Sequence, residues 1–344
     1  MRPSLLLSQL LPLAWLQLAS AGSQSPKRGL VFTPNDDWPE DNKLWAAEGS
    51  GLTWYYNFGW NATAAYSTTP QDKFEFVPMM WGAGTENGTD TYFLGNITTT
   101  MEKDKRNITH VLSFSHPEQN FTNGGSEMKP VVAARAWINN AIPLQKMGVK
   151  VGLPIVGDPY SWVDPFLKNC SALLAKEKGE DKDSRCTFDF MPITSYGNFS
   201  VLKSRVDLFA NAFPDIPVWV VEYGYNDQDL ATTQKFFNES LPYLDSTDIV
   251  ERYAWFGAFR SIVSNVGPNG AMLDPYGDLT DIGSWYLGGN GTGNEALPTD
   301  TPGNSSCTAA NPCGKNAGTT LRSDVDLLFS DFLLLFAAPF FRVN

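Results

Sequence analysis

The sequence predicts a (β/α)8 barrel in a single domain, and two observations carry that expectation. Eight short runs rich in β-branched and aromatic residues follow one another between residues 27 and 257, and most are separated by segments with apolar positions at helical spacing. The seventh run, Pro217-Val218-Trp219-Val220-Val221-Glu222-Tyr223-Gly224, is apolar on both parities and closes on one carboxylate. Such a run fits a parallel strand covered on both faces. An acid at its carboxyl end, Glu222, stands where barrel enzymes place catalytic groups.

Taken in order, Lys27–Phe32 reads as the first strand, Thr53–Asn57 as the second, Glu75–Gly82 as the third and His110–Ser115 as the fourth. Val131, Ala134, Ile138, Ala141 and Leu144 then recur at helical spacing from Pro130 to Met147, with Pro130 suited to a first turn. Val149–Ile155 is the fifth strand, followed by a helix over Trp162–Lys178. Phe188–Ile193 is the sixth, with a helix from Phe199 to Phe213. The seventh strand is trailed by a helix from Gln228 to Leu244, and Glu251–Gly257 is the eighth. The connections around strands two and three are glycine- and threonine-rich and predict no definite helix.

The ends of the chain carry different signals. A charged start, an apolar middle from Leu5 and a small-x-small close at Ala19-Ser20-Ala21 read as a secretory signal peptide over 1–21. At the other end, Asn316-Ala317-Gly318, a polar spacer and the apolar tail from Leu327 to Phe341 read as a glycolipid (GPI) attachment signal over 319–344. These leave one domain over 22–288 and a Gly/Ser/Thr/Asn-rich linker over 289–318. The expected location is therefore the cell surface or cell wall, reached by secretion, with membrane association through a lipid anchor only. A net charge of −12 argues against a nucleic-acid partner, because phosphate binding needs clustered Lys and Arg. Ten Asn-x-Ser/Thr sites, at Asn61, Asn87, Asn96, Asn107, Asn120, Asn169, Asn198, Asn238, Asn290 and Asn304, fit a secreted glycoprotein.

Four cysteines suit an oxidising compartment. Of the three ways to pair them, neighbour pairing is simplest, and Cys170 with Cys186 is expected because the two flank one charged excursion. No C-x-x-C pattern suggests zinc, and the two histidines, His110 and His116, lie about 20 Å apart along an extended strand, too far to share a metal. No cofactor is implied, and a monomer is expected.

Barrel geometry gathers on one face the residues that follow each strand: Tyr56 and Trp60, Trp81, Ser115 to Glu118, Tyr196, Glu222 with Tyr225, and Trp255. Aromatic faces stack on the apolar faces of sugar rings, so the group reads as a carbohydrate cleft. Five runs then carry a specific resemblance: Lys27-Arg-Gly-Leu, Trp54-Tyr-Tyr-Asn, Phe76-Val-Pro-Met-Met-Trp-Gly, Pro217-Val-Trp-Val-Val-Glu-Tyr and Val250-Glu-Arg-Tyr-Ala-Trp-Phe. In that order, from Lys27 to about Tyr286, they resemble glycoside hydrolase family 128, the fungal alkali-sensitive linkage protein type. The resemblance implies a (β/α)8 barrel acting on β-1,3-glucan by a retaining mechanism, with Glu222 at the position of the nucleophile.

A retaining mechanism needs a second carboxyl group about 5 Å from the nucleophile. The family pattern resembled, Gly-Phe-Asn-Glu-Pro-Asp at the end of strand four, reads here Ser113-Phe114-Ser115-His116-Pro117-Glu118, so His116 stands in place of the acid/base and Ser115 in place of the Asn. His-Trp-Tyr-Gly after strand six reads Thr194-Ser195-Tyr196-Gly197. Whether the chain is an enzyme is therefore open between several readings. His116 is itself the acid, as an imidazolium able to donate a proton under mildly acidic conditions, or Glu118 has taken the role. Alternatively the cleft binds β-1,3-glucan or its oligosaccharides with absent or weak hydrolysis, which accounts for all the substitutions by one cause. A purely structural, anchored wall glycoprotein is the remaining reading.

Overall fold

The computed structural model describes residues 25–177 and 184–296. The expected leader, the glycolipid signal, Cys307, Cys313 and Asn304 lie outside the described residues. Within them, the runs of β-branched and aromatic residues form β1 (Arg28–Val31), β2 (Trp54–Tyr56), β3 (Glu75–Phe76), β4 (His110–Val111), β5 (Lys150–Val151), β6 (Met191–Tyr196), β7 (Val218–Gly224) and β8 (Val250–Trp255). All pairings are parallel: a six-stranded sheet ordered β3-β2-β1-β8-β7-β6 and a two-stranded sheet β4-β5.

β3, β4 and β5 are shorter than the runs that predict them, and no single continuous ladder joins all eight strands. Pro78 and Pro154 interrupt two of these runs, because proline has no N–H to give to a ladder. Pairing resumes beyond them as single parallel bridges, Met79 with Leu112 and Ser115 with Ile155, and a further bridge joins Gly152, just before Pro154, with Phe190. Backbone hydrogen bonds cross both seams between the sheets, from Leu112 N–H to the Pro78 carbonyl at 2.8 Å and from Asp189 N–H to the Val151 carbonyl at 2.9 Å.

Helices connect most strands: α1 (Tyr92–Glu102), α2 (Pro130–Lys146), α3 (Val163–Glu177), α4 (Phe199–Ala212), α5 (Leu230–Ser246) and α6 (Asp281–Tyr286). Asn198 and Asp229 cap α4 and α5 by accepting the N–H of Val201 and Thr232. The links β1–β2 and β2–β3 carry only 3-10 turns, at Asp41–Lys43 and Ala64–Tyr66. α1 forms where the sequence predicts nothing definite, since Gly95 and Thr98 to Thr100 are weak helix formers. Tertiary contacts hold it instead: Asn140 of α2 accepts the Leu94 N–H at 3.0 Å and donates to the Asp90 carbonyl at 2.9 Å. Residues 289–296, expected to begin a linker, stay against the domain: Asp281 accepts the N–H of Thr292 and Gly293, and Ala296 is buried.

Side-chain parity divides the core. Val31, Trp54, Val77, Leu112, Ile155, Phe190, Val221 and Ala254, one from each strand segment, meet in an inner cluster. The opposite parity, including Leu30, Tyr55, Val111, Ile193 and Tyr253, packs outward in a larger cluster with the helices. At the amino ends of the strands the inner cluster meets a polar group. Arg252 bonds Glu75 at 2.7 Å and lies 4.3 Å over the Trp219 ring, His110 Nδ1 meets the other Glu75 oxygen at 3.0 Å, and Phe190 stacks on Trp219 at 3.9 Å.

Burial alone would raise the Glu75 carboxyl, but the hydrogen bond from His110, the Arg252 charge and the Thr109 hydroxyl overcome it and hold the group at about 2, against an ordinary 4.5. A depressed carboxyl contributes stability that is complete above its unfolded value and lost as pH falls towards the folded one. Unfolding titrations should therefore show about 3 kcal/mol lost between about pH 4.5 and about 2 that Glu75→Gln does not lose; parallel curves for the two proteins would refute it. The disulfide Cys170–Cys186, with Cα atoms 5.9 Å apart, ties α3 to the approach to β6. Replacing both cysteines by Ala should lower stability to denaturant by about 3 kcal/mol, the loop-closure value for a separation of this size.

Candidate functional site

At the carboxyl ends of the strands the inner cluster opens into a cleft of about 1740 Å³. Its floor is set by β7, whose inward residues Trp219 and Val221 are followed by a change of register that turns Glu222 to the cleft. Glu222 is only 8% exposed, and each of its oxygens has a phenol donor. Tyr56 from the end of β2 donates to Oε1 at 2.8 Å, and Tyr196 from the end of β6 donates to Oε2 at 2.8 Å. Burial, then the Glu222 charge and the hydrogen bond to it, push both phenols well above the ordinary tyrosine value, so both remain protonated donors. The result is a carboxylate fixed in one orientation, the requirement for an in-line nucleophile or for a fixed sugar-hydroxyl acceptor.

His116 is brought to the same cleft from the loop after β4. Its Nε2 lies 3.5 Å from the Thr194 hydroxyl, and Thr194 is the β6 partner of Glu222 in register. His116 holds φ at +39°, a left-handed conformation uncommon for a non-glycine residue and disfavoured again by the following Pro117. The loop imposes it: Gln119 N–H bonds the His116 carbonyl at 2.9 Å and Ser126 N–H bonds the Ser115 carbonyl at 2.9 Å. Gly125 is required there, because a Cβ would stand 2.4 Å from the carbonyl oxygens of His116 and Gln119.

Glu118 lies behind His116, outside the cleft lining, with Oε1 3.7 Å from His116 Nδ1 and accepting the Gly157 N–H at 2.6 Å. Burial would raise this carboxyl, but His116 and the N–H groups of Glu118 and Gly157 outweigh it and hold it below the ordinary value. An ionised carboxylate bound from behind is placed to orient an imidazole, not to give a proton to a leaving group. Arg205 of α4 braces the assembly through the carbonyls of Thr194, Val156 and Gly157.

Of the other expected site residues, Trp60, Trp81, Ser115 and Tyr196 line the cleft, while Tyr56 sits fully buried beneath Glu222. Trp255 does not line it: the ring faces outward against Phe236 and Phe237 of α5, and its Nε1 donates to the Gly270 carbonyl. The next residue, Phe256, has the inward parity and takes the place in the cleft. Tyr225 likewise packs on Phe236 and is not part of the lining. The sequence reading missed Phe121, stacked 5.9 Å from Trp81, and Tyr92, set edge-on to Trp60 at 6.3 Å. It also missed Ser126 and Asn226, which with Ser195 bring to the lining buried polar atoms that have no hydrogen-bond partner among the described residues. Loop residues of this kind carry no periodic signal, although Phe121 follows the fourth strand closely enough to have been counted.

These features set a prediction for the floor. Tyr56→Phe leaves Glu222 Oε1 buried without its donor and should cost about 1 to 3 kcal/mol in equilibrium unfolding. Tyr196→Phe should cost less, since Tyr196 is partly exposed where Tyr56 is fully buried, and equal losses would contradict this account of the floor.

The pattern of the glycosyl hydrolase catalytic core matches residues 29–286. Alkali-sensitive linkage protein 1 of Schizosaccharomyces pombe is 26% identical over 276 residues, which are 77% of this chain and 45% of the relative, so the chain spans under half of that protein's length. Among solved structures, a GH128 subgroup II endo-β-1,3-glucanase from Sorangium cellulosum superposes with a TM-score of 0.58 at 21% identity, covering 77% of this chain and 99% of the other. A GH128 subgroup VII oligosaccharide-binding protein from Cryptococcus neoformans gives 0.55 at 19%, covering 78% and 94%. A GH128 subgroup III curdlan-specific exo-β-1,3-glucanase from Blastomyces gilchristii, in complex with glucose, gives 0.51 at 25%, covering 76% and 97%. The chain belongs to the glycosyl hydrolase catalytic core family, within the GH128 group its sequence resembles.

Proposed function

We propose that this chain is a secreted β-1,3-glucan-binding protein on a (β/α)8 glycoside hydrolase barrel, holding the glucan or its oligosaccharides with absent or weak hydrolysis. One observation carries the reading: beside Glu222, where a retaining site needs a second carboxyl group, the cleft offers the His116 imidazole, and the nearest carboxylate, Glu118, is tied behind it. Loss of general acid catalysis alone removes about 10²- to 10⁴-fold in rate, or about 3 to 5.5 kcal/mol of barrier. The floor and the aromatic walls remain suited to sugar rings. The hydrogen bonds across both sheet seams and the inner cluster drawn from all eight strand segments support the barrel. The N-terminal apolar leader and the C-terminal small-residue site with its tail support secretion and a lipid anchor at the cell surface.

A second reading, a hydrolase using His116 as acid, draws on the same contact, since Glu118 behind the imidazole would hold the ring in place towards the cleft. Binding to laminarin-type oligosaccharides together with reducing-end release separates the two. The protein should bind and release little. His116→Glu with Ser115→Asn should raise hydrolysis by on the order of 10²-fold, incompletely because Thr194 and Ser195 remain. Glu222→Gln should leave binding nearly intact and abolish the activity gained. Brisk hydrolysis by the unaltered chain, rising with acidity and lost in His116→Ala, would establish the hydrolase and overturn the binding reading.

A further inference from the structure

We propose that N-linked glycans on the cleft rim make this site selective for free oligosaccharides and single chain ends over particulate glucan, an inference that rests on the binding function proposed above. Of the Asn-x-Ser/Thr sites, Asn61, Asn87, Asn120 and Asn198 lie on the loops that leave the carboxyl ends of β2, β3, β4 and β6, and all four are exposed. The lining reaches three of them directly or through immediate neighbours: Asn61 itself, Glu86 beside Asn87, and Gln119 and Phe121 on either side of Asn120. Asn120 is four residues beyond His116, and Phe121 is the ring stacked on Trp81.

Local geometry fits these asparagines for modification. In three of them the sequon's own hydroxyl donates to Oδ1: Thr89 to Asn87 at 2.7 Å, Thr122 to Asn120 at 2.9 Å and Ser200 to Asn198 at 2.7 Å. Oδ1 of Asn120 and Asn198 also accepts a backbone N–H, from Asn123 and Val201. The fold thus uses the carbonyl oxygen, while a glycan attaches to the nitrogen. By contrast Asn96 and Asn169, on helices α1 and α3, donate Nδ2 to the carbonyls of Tyr92 and Pro165.

A glycan is bulky and hydrated. Chains rooted on loops two, three, four and six stand around the mouth on both sides of Glu222, leaving a narrow opening that a single sugar chain passes and a bundle of packed chains does not. The rim becomes a filter on the physical state of the ligand, while the floor recognises its chemistry.

The test uses protein secreted from a eukaryotic host. Glycopeptide mass spectrometry should find Asn87, Asn120 and Asn198 occupied. Binding to a laminarin-type oligosaccharide and to particulate β-1,3-glucan is then compared before and after enzymatic deglycosylation, and in a Thr89→Ala/Thr122→Ala/Ser200→Ala variant, which removes the three sequons but keeps the asparagine caps. Expected is a several-fold gain for the particulate ligand in both treated forms with the oligosaccharide unchanged. Unoccupied rim sites, or particulate binding that does not change, would overturn the filter. Absence of oligosaccharide binding in every form would instead overturn the function on which it rests.

Discussion

Burying the Glu222 carboxylate is the constraint from which the site is built. A charge taken out of water must be given hydrogen bonds or it neutralises itself, and here both oxygens are met by phenols, one from the neighbouring strand β6 and one from β2, three places away in the sheet. That solution fixes several things at once. β2 and β6 must end level with β7, Tyr56 and Tyr196 must share the inward parity, and the register of β6 against β7 must shift between Ile193 and Thr194 to bring Tyr196 and Thr194 to the same opening. Thr194 in turn meets the His116 imidazole from the loop after β4. A donor pair at the floor thus dictates the alignment of three strands and the landing point of a fourth.

Much of the fold was legible because parallel strands and amphipathic helices announce themselves by opposite periods. β7, α2, α4 and the pairing of Cys170 with Cys186 fall where the sequence puts them. α1 did not, because its stability comes from Asn140 on a neighbouring helix and not from its own glycine- and threonine-rich residues. The cleft was legible in outline and unreliable in parity. In Tyr253-Ala254-Trp255-Phe256 every position is apolar, since a strand covered on both faces has no solvent side to mark, and nothing local says that Ala254 and Phe256 face inward while Trp255 meets α5. Glu118 was ambiguous for a related reason: its role depends on where Gly157, far along the chain, presents an N–H.

The loop after β4 fixes the position of His116 through its backbone. The left-handed backbone of His116, the Gly125 that makes room for it and the hydrogen bonds through Ser115 and Gln119 would present any side chain placed there to Thr194 and Glu222. Arg205, spanning the carbonyls of Val156, beyond β5, and Thr194 of β6, ties the neighbouring loop to the strand. The geometry that presents position 116 to the cleft is thus independent of the group that occupies it.

The far end of the strands has its own consequence. Trp54, Phe190 and Trp219 fill the interior above the Glu75–Arg252–His110 group, each no more than 1% exposed. The interior between the strands is therefore filled, and nothing can be threaded through it or expelled from its base. On the binding function proposed above, a polymer would lie across the open face like a rope over a saddle. The number of sugar units held at one time would then be set by the width of the face and the height of its edges, features that surface loops can alter without disturbing the strands beneath.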